Sequence, residues 1–171
     1  MNLQYLKDAD VSVELDKKIR TLLSTCFIKG QDAEIFSRQR YYNEMPGHRY
    51  MLWDKGELIA HIAVHDKQVL INEIPHPICA VAEVCVHPNY RKQGMVKSIL
   101  EKIHLARTEY GDSFSILFGD EEVYASSGYH CVNNLKALNP GKEWSVTGYT
   151  MVHALNKNWP DCEVKLLGIP F

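Results

Sequence analysis

Apolar residues recur at helical spacing over residues 11–27, where Val11, Leu15, Ile19, Leu22 and Leu23 share one stripe and Asp10 or Ser12 stands where a helix cap would. A second, shorter helix is predicted over residues 32–40. From residue 50 the period changes. Tyr50-Met51-Leu52-Trp53, the turn Asp54-Lys55-Gly56 and residues 57–64 read as a β-hairpin. A further strand over 67–73, a loop at Ile74-Pro75-His76-Pro77 and a near-continuous apolar run over 78–86 extend this sheet toward a buried middle.

Helical spacing returns at Met95, with Val96, Ile99, Leu100, Ile103, Leu105 and Ala106 on one stripe that ends at Tyr110-Gly111, where glycine terminates a helix readily. Residues 113–118 form the next strand. Gly119-Asp120 then opens a short helix through Tyr124 to Ser127, followed by Gly128-Tyr129, a strand over 130–132 and a last strand over 147–155. Residues 156–171, with Trp159-Pro160-Asp161, read as an ordered C-terminal tail. There is no internal repeat.

With 171 residues, 46% hydrophobic and 23% charged, the chain suits a single domain over residues 1–171 with a sizeable core. A formal net charge of −2 excludes the broad basic footprint of a protein that grips nucleic acid, so any anion site is local. Residues 1–8 lack the pattern of a secretory signal, and no run approaches the ~18 apolar residues of a membrane span, so no membrane partner is expected. The five cysteines are odd in number and contain no C-x-x-C pair, which fits a reduced, cytoplasmic setting.

The most informative segment is Val84-Cys85-Val86-His87-Pro88-Asn89-Tyr90-Arg91-Lys92-Gln93-Gly94-Met95-Val96: a strand, a basic turn with one glycine, and the first turn of a helix. Backbone N–H groups at a helix start have no intrahelical partner and carry partial positive charge, so such a turn can hold a phosphate. Arg91, Lys92, Gln93, Gly94, Met95 and Val96 are the candidate phosphate-binding residues, and Gly94 lets the chain approach closely.

This stretch resembles the acyl-CoA loop of the GNAT superfamily of N-acetyltransferases, whose usual form is Gln or Arg, two residues, Gly, one residue, then Gly or Ala. Arg91 and Gly94 match, whereas Val96 puts a branched side chain at the last position and implies altered geometry or weaker affinity. Tyr124-Ala125-Ser126-Ser127-Gly128-Tyr129 is similar to the family's Tyr-x-x-x-Gly-aromatic motif. The order of elements resembles the family's over nearly the whole chain. The implied fold is α/β (α+β): a mixed, mostly antiparallel central sheet, splayed at the acyl-CoA site and flanked by helices. Gly119-Asp120 before Tyr124 is similar to uncharacterised bacterial members. Weaker likenesses point to aminoglycoside 2′-N-acetyltransferases and to nodulation acyltransferases, and these do not agree on a substrate.

Transfer of an acetyl group from a thioester to an amine needs a held donor, a polarised carbonyl, a neutral amine and a proton for the departing thiolate. By resemblance, main-chain groups of Val84, Cys85 and Val86 bind the pantetheine of acetyl-CoA. Tyr124 matches the tyrosine that protonates the thiolate; its plain alternative is a tyrosine packing on the sheet. Glu83, just before the CoA-facing segment, could take the amine proton through water, and alternation would place it on the side of Cys85; its alternative is a structural carboxylate. His61 and His65 are four apart, but in a strand, so no metal is expected. No basic cluster is evident to activate Cys85, which favours direct transfer.

The leading expectation is an acetyl-CoA-dependent acetyltransferase acting on a small-molecule primary amine, with Asp32, Glu34, Tyr41, Tyr42 and Glu44 near a cationic acceptor. A non-catalytic acyl-CoA-binding regulatory module and a protein or peptide N-acetyltransferase are the alternatives. Many relatives are dimers, which implies a homodimer.

Overall fold

The computed structural model describes residues 1–171. The elements in chain order are β1 (Asn2–Lys7), α1 (Val13–Cys26), α2 (Asp32–Arg38), β2 (His48–Asp54), β3 (Glu57–Ile71), β4 (Ile74–Val86), α3 (Met95–Tyr110), β5 (Phe114–Phe118), α4 (Glu121–Tyr124), β6 (His130–Cys131), β7 (Leu135–Leu138), β8 (Trp144–Val146), β9 (Thr150–Ala154) and β10 (Val164–Leu166). Residues 1–65 with 82–99 make one compact unit, and residues 66–81 with 100–171 make the other.

In the first unit β1, β2 and β3 pair antiparallel, from Asn2 opposite Trp53 to Lys7 opposite His48, and from His48 opposite Val64 to Asp54 opposite Glu57. Lys55 and Gly56 both take positive φ, 46° and 85°, the geometry of a two-residue hairpin whose twist matches its strands. Ser12 caps α1, its Oγ accepting from the Leu15 N–H at 3.2 Å. The expected stripe becomes core: Ile19, Leu22 and Leu23 of α1 pack with Phe36, Met51, Leu58 and Cys85.

In the second unit the strand order is β6-β9-β5-β4-β3-β10-β7-β8. Only β4 with β5 and β10 with β7 are parallel; the other registered pairs are antiparallel. The β4–β5 pairing covers only Ile78 to Ala80, opposite Phe114 to Ile116, although β5 runs on to Phe118. Val69, Ile78, Phe114, Ile116, Leu135, Val152 and Leu166 anchor the core.

Several local expectations are corrected. Residues 74–77 are strand, because the turn lies earlier at Asn72-Glu73, both left-handed at 51° and 61° without a glycine to announce it. Pro75 and Pro77 sit at the exposed start of β4, where a missing N–H does little harm. β3 runs unbroken through His65 and Asp66. Leu105 is 60% exposed; the buried face of α3 instead carries His104 and Arg107 beside Leu100 and Ile103. The last long strand shortens to β9. Four strands, β1, β7, β8 and β10, lie in segments where no strand is predicted.

Candidate active site

From Val86 the chain enters a 3₁₀ turn at Pro88–Tyr90, fixed by the His87 N–H to the Ile59 carbonyl at 2.8 Å and by the Asn89 N–H to His87 Nδ1 at 3.3 Å. Lys92 and Gly94 then adopt φ of 61° and 72°. The first ladder bond of α3 runs from the Ser98 N–H to the Gly94 carbonyl, so the N–H groups of Met95, Val96 and Lys97 precede the ladder at the positive end of a 16-residue helix. A Cβ at Gly94 would meet nothing within 4 Å, so its φ and the open space before it are what glycine supplies. Val96 lies in the first turn of α3. Gln93 is exposed, and Arg91 turns its Nε to the Val86 carbonyl at 3.2 Å.

Glu83 interrupts β4 with a left-handed φ of 51°, so simple alternation with Cys85 does not hold there. Its carboxyl is 5% exposed. Oε1 accepts from the Tyr42 N–H at 2.9 Å and Oε2 from Arg49 Nη1 at 3.4 Å. Burial raises its pKa to about 7, outweighing Arg49 and the Tyr42 N–H, which favour the anion. That is a useful acidity for a group that takes a proton near neutral pH.

Behind Glu83 lies a buried ionic network. Arg49, fully buried, donates to Asp8 and, at 2.8 Å, to the Arg40 carbonyl; Arg40 in turn donates to Asp8 at 2.6 Å and Asp16 at 3.0 Å. Burial alone would raise the pKa of Asp8, but hydrogen bonds from Arg40 and Arg49 hold it below the usual carboxylate range. His61, also fully buried, contacts Arg49 Nη1 through Nε2 at 2.9 Å and the Glu83 carbonyl through Nδ1 at 3.1 Å. Burial, then Arg49, lowers its pKa to about 3. Both ring nitrogens are occupied, which removes His61 from any zinc pair with His65. No three His, Cys, Asp or Glu side chains are grouped to hold a metal.

Cys85 is buried in the core, and burial pushes its thiol well above the ordinary value, which disfavours it as an acyl-accepting nucleophile. Near α2, a 320 Å³ cavity is lined by Gln31, Glu34, Ile35, Arg38, Gln39 and Tyr42. Glu34 is paired there with Arg38 at 2.5 Å, and Glu44 lies 3.8 Å from His65 Nδ1.

Tyr124 ends α4 in the second unit. Its ring lies against the backbone of Gly119, where a Cβ would come within 2.5 Å of Cε2, and edge-on to Tyr129 at 6.1 Å between centroids. Tyr129 is held through its hydroxyl by Ser115 Oγ at 2.6 Å and His104 Nε2 at 3.0 Å. His104 stacks on His153 at 4.0 Å, and His153 Nδ1 donates to the Gly128 carbonyl at 3.0 Å. Gly128, at φ 83°, has no room for a Cβ beside that imidazole.

Sequence reasoning missed Asp8, Arg49, the Tyr42 N–H and the part that His61 plays in this network. A signal existed for two of them, an arginine and a histidine inside otherwise apolar strand runs, where a buried charge or ring must find partners.

Residues 13–132 match the acetyltransferase (GNAT) domain family. The chain belongs to the GNAT superfamily of N-acetyltransferases, and its mixed sheet with flanking helices is that fold. Among solved structures it is similar to YhbS of Escherichia coli, a GNAT family N-acetyltransferase in complex with CoA, at TM-score 0.70 and 19% identity over 99% of this chain and 94% of that one. A GNAT family acetyltransferase from Brucella melitensis in complex with acetyl-CoA gives 0.64 and 17%, over 95% and 94%. A probable N-acyltransferase of Enterococcus faecalis gives 0.61 and 17% over 78% of this chain, which spans 33% of that longer protein. No curated protein matches the sequence significantly. Likeness at these identities establishes the fold alone, and the narrower subgroup resemblances go no further.

Proposed function

We propose that the protein is an acetyl-CoA-dependent N-acetyltransferase that moves an acetyl group directly to a primary amine of a small molecule. The observation that carries this reading is Glu83: a buried carboxyl with a pKa of about 7, adjoining residues 84–86 in the strand that leads to the left-handed Lys92–Gly94 turn. Family membership and neighbours solved with CoA or acetyl-CoA support the donor.

The N–H groups of Gln93, Gly94, Met95 and Val96 receive the pyrophosphate, with Arg91 and Lys92 supplying charge. Main-chain groups of Val84, Cys85 and Val86 hold the pantetheine and polarise the thioester carbonyl. Glu83, ionised, takes the proton of the acceptor ammonium through water, so that the amine attacks as a neutral nucleophile. Tyr124 gives its phenolic proton to the departing thiolate. The donor supplies the activated acyl group, a thioester whose leaving group is a stable thiolate. Asp32, Glu34, Tyr41, Tyr42 and Glu44 offer acids and aromatic faces that suit a cationic amine.

Calorimetric titration with acetyl-CoA, followed by thiol release across a panel of amines, tests the reading. Binding with amine-dependent release supports it. Binding with no release for any amine, peptide amines included, points to an acyl-CoA-binding regulatory module, and absence of binding at millimolar donor overturns the reading.

A further inference from the structure

The guanidinium of Arg49 does more than neutralise Asp8. Nε donates to Asp8, Nη1 faces both His61 Nε2 at 2.9 Å and Glu83 Oε2 at 3.4 Å, and Nη2 donates to the Arg40 carbonyl at 2.8 Å. Glu83 accepts the Tyr42 N–H on its other carboxyl oxygen at 2.9 Å. These bonds close a ring. It runs from Arg49 to the Arg40 carbonyl, along the chain through Tyr41 to the Tyr42 N–H, on to Glu83 Oε1, and from Oε2 back to Arg49. Every member lies in the first unit.

The segment gripped by this ring belongs to the connection between α2 and β2, outside regular structure. Its other polar groups are engaged as well. Gln39 Nε2 donates to the carbonyls of Tyr41 at 2.9 Å and Tyr42 at 3.1 Å, and the Arg40 side chain is bound to Asp8 and Asp16. Tyr42 sets its ring 6.0 Å from that of Phe36 and lines the 320 Å³ cavity beside Gln39, Glu34 and Arg38. One side of the ring of bonds is thus the wall of a cavity, and the other is the carboxyl assigned above as the base.

Taking a guanidinium fully out of water is costly, and a buried ion pair is weak as a source of stability. What arginine supplies here is direction: a planar fork whose N–H bonds reach several acceptors at fixed angles. We propose that Arg49 is a positioning residue for acyl transfer, holding residues 40–42, and with them the cavity wall, in register with the Glu83 carboxyl so that an amine seated there meets the base. This rests on the reading of Glu83 as base. Burial keeps the Glu83 carboxyl protonated to about pH 7 and Asp8 adds to that effect, whereas Arg49 and the Tyr42 N–H favour the anion; the neutral His61 of β3 and the Cys85 thiol of its own strand adjoin it. Loss of either anion-favouring group therefore raises the midpoint.

NMR of the isotope-labelled whole protein tests the ring without turnover. The Tyr42 amide shift and the Glu83 carboxyl carbon should titrate with one midpoint, and the Tyr42 titration should vanish in Glu83→Gln. A Tyr42 amide that stays flat while Glu83 titrates overturns the proposal. In Arg49→Lys, whose ammonium cannot span Asp8, the Arg40 carbonyl and Glu83 together, the Glu83 midpoint should move to higher pH and kcat/KM for the amine should fall at least ~10-fold. Should that variant not fold, Tyr42→Pro and Tyr42→Ala replace it, since both lose the phenol and only the proline loses the N–H. The proline variant should be at least ~10-fold slower in kcat than the alanine variant, with its rate-versus-pH rise displaced upward and acetyl-CoA affinity within about twofold. Equal kcat and equal pH profiles for the two would overturn the proposal. A rise that survives Glu83→Gln removes the base reading and the positioning role with it, an outcome the amide titration keeps distinct from failure of the ring itself.

Discussion

Arg49 Nη1 lies 2.9 Å from His61 Nε2, and this contact settles the tautomer of the imidazole. A guanidinium can only donate, so Nε2 accepts and the ring proton sits on Nδ1, which donates to the Glu83 carbonyl at 3.1 Å. A buried arginine thereby holds, through a neutral histidine, the backbone of a residue in left-handed conformation.

Removing either partner is expected to be expensive. Arg49→Met removes one of the three hydrogen bonds to the Asp8 carboxylate and leaves Glu83 Oε2 without its cation, and should destabilise by about 3–5 kcal/mol. His61→Leu orphans one carbonyl and one guanidinium N–H and should cost about 1–3 kcal/mol. Urea unfolding midpoints give the comparison; a change within about 0.5 kcal/mol for Arg49→Met would mean the network is not formed.

Glu83 has a folded pKa near 7 against an ordinary 4.5. Between these values the folded chain binds the extra proton, so its contribution is fully present below pH 4.5 and is lost as pH rises through about 7. Glu83→Gln should flatten that stretch of the Tm-versus-pH curve. In turnover the same titration appears with opposite benefit: the rate rises through about pH 7, and that limb disappears in Glu83→Gln. A limb that survives the substitution excludes Glu83 as the base.

His61 and His104 pull the other way. Both are lowered to about 3, His61 by burial and Arg49, His104 by burial and the stacked His153. The unfolded chain takes up protons at both below about pH 6.5, so their stabilising effect is lost as pH falls from there toward 3. Each contributes a slope of at most about 1.4 kcal/mol per pH unit. Two histidines outweigh one glutamate between 4.5 and 6.5, and net stability should decline on acidification. His104→Gln should halve the histidine part of the slope.

Gly119→Ala puts a methyl group within 2.5 Å of the Tyr124 ring and so must displace it. Turnover should fall as far as it does in Tyr124→Phe, with acetyl-CoA affinity kept within about twofold. The double variant should be no slower than Tyr124→Phe alone. Additive losses would mean that Gly119 acts on folding rather than through Tyr124.

Gly94→Ala meets no atom, yet an alanine at φ 72° carries a strain of about 1–2 kcal/mol. Relief by leaving the left-handed turn would misalign the N–H groups of α3, and acetyl-CoA should bind about 10-fold more weakly. Val96→Ala, at a helical position, is the control that leaves the turn as it is.

How much of this was legible in the chain depends on whether the cause was local. The α1 stripe, the Ser12 cap, the Lys55-Gly56 hairpin and the helix after Gly94 follow from periodicity and turn chemistry within a few residues, and each forms as expected. β1 and β10 are strands because distant strands pair with them, and β7 and β8 pair with each other beside β10; three- to six-residue segments such as Val164–Leu166 carry too little period to show it. Leu105 and Arg107 exchanged places for a related reason. The helical pattern tolerates either, and Asp112 with Asp66 gives Arg107 partners that let a charge be buried. At the candidate site the loop was readable, whereas the network behind Glu83 joins residues 8, 49, 61 and 83, which no spacing rule connects.

That network also sets an order of events during synthesis. Asp8 emerges first, Arg49 much later, and Glu83 only after residues 66–81, which belong to the other unit. The first unit therefore cannot mature as its own residues leave the ribosome. A fragment ending at residue 65 carries Arg49 and His61 without Glu83, and a helical core without Cys85, and should behave as an unfolded chain until the segment 82–99 is supplied.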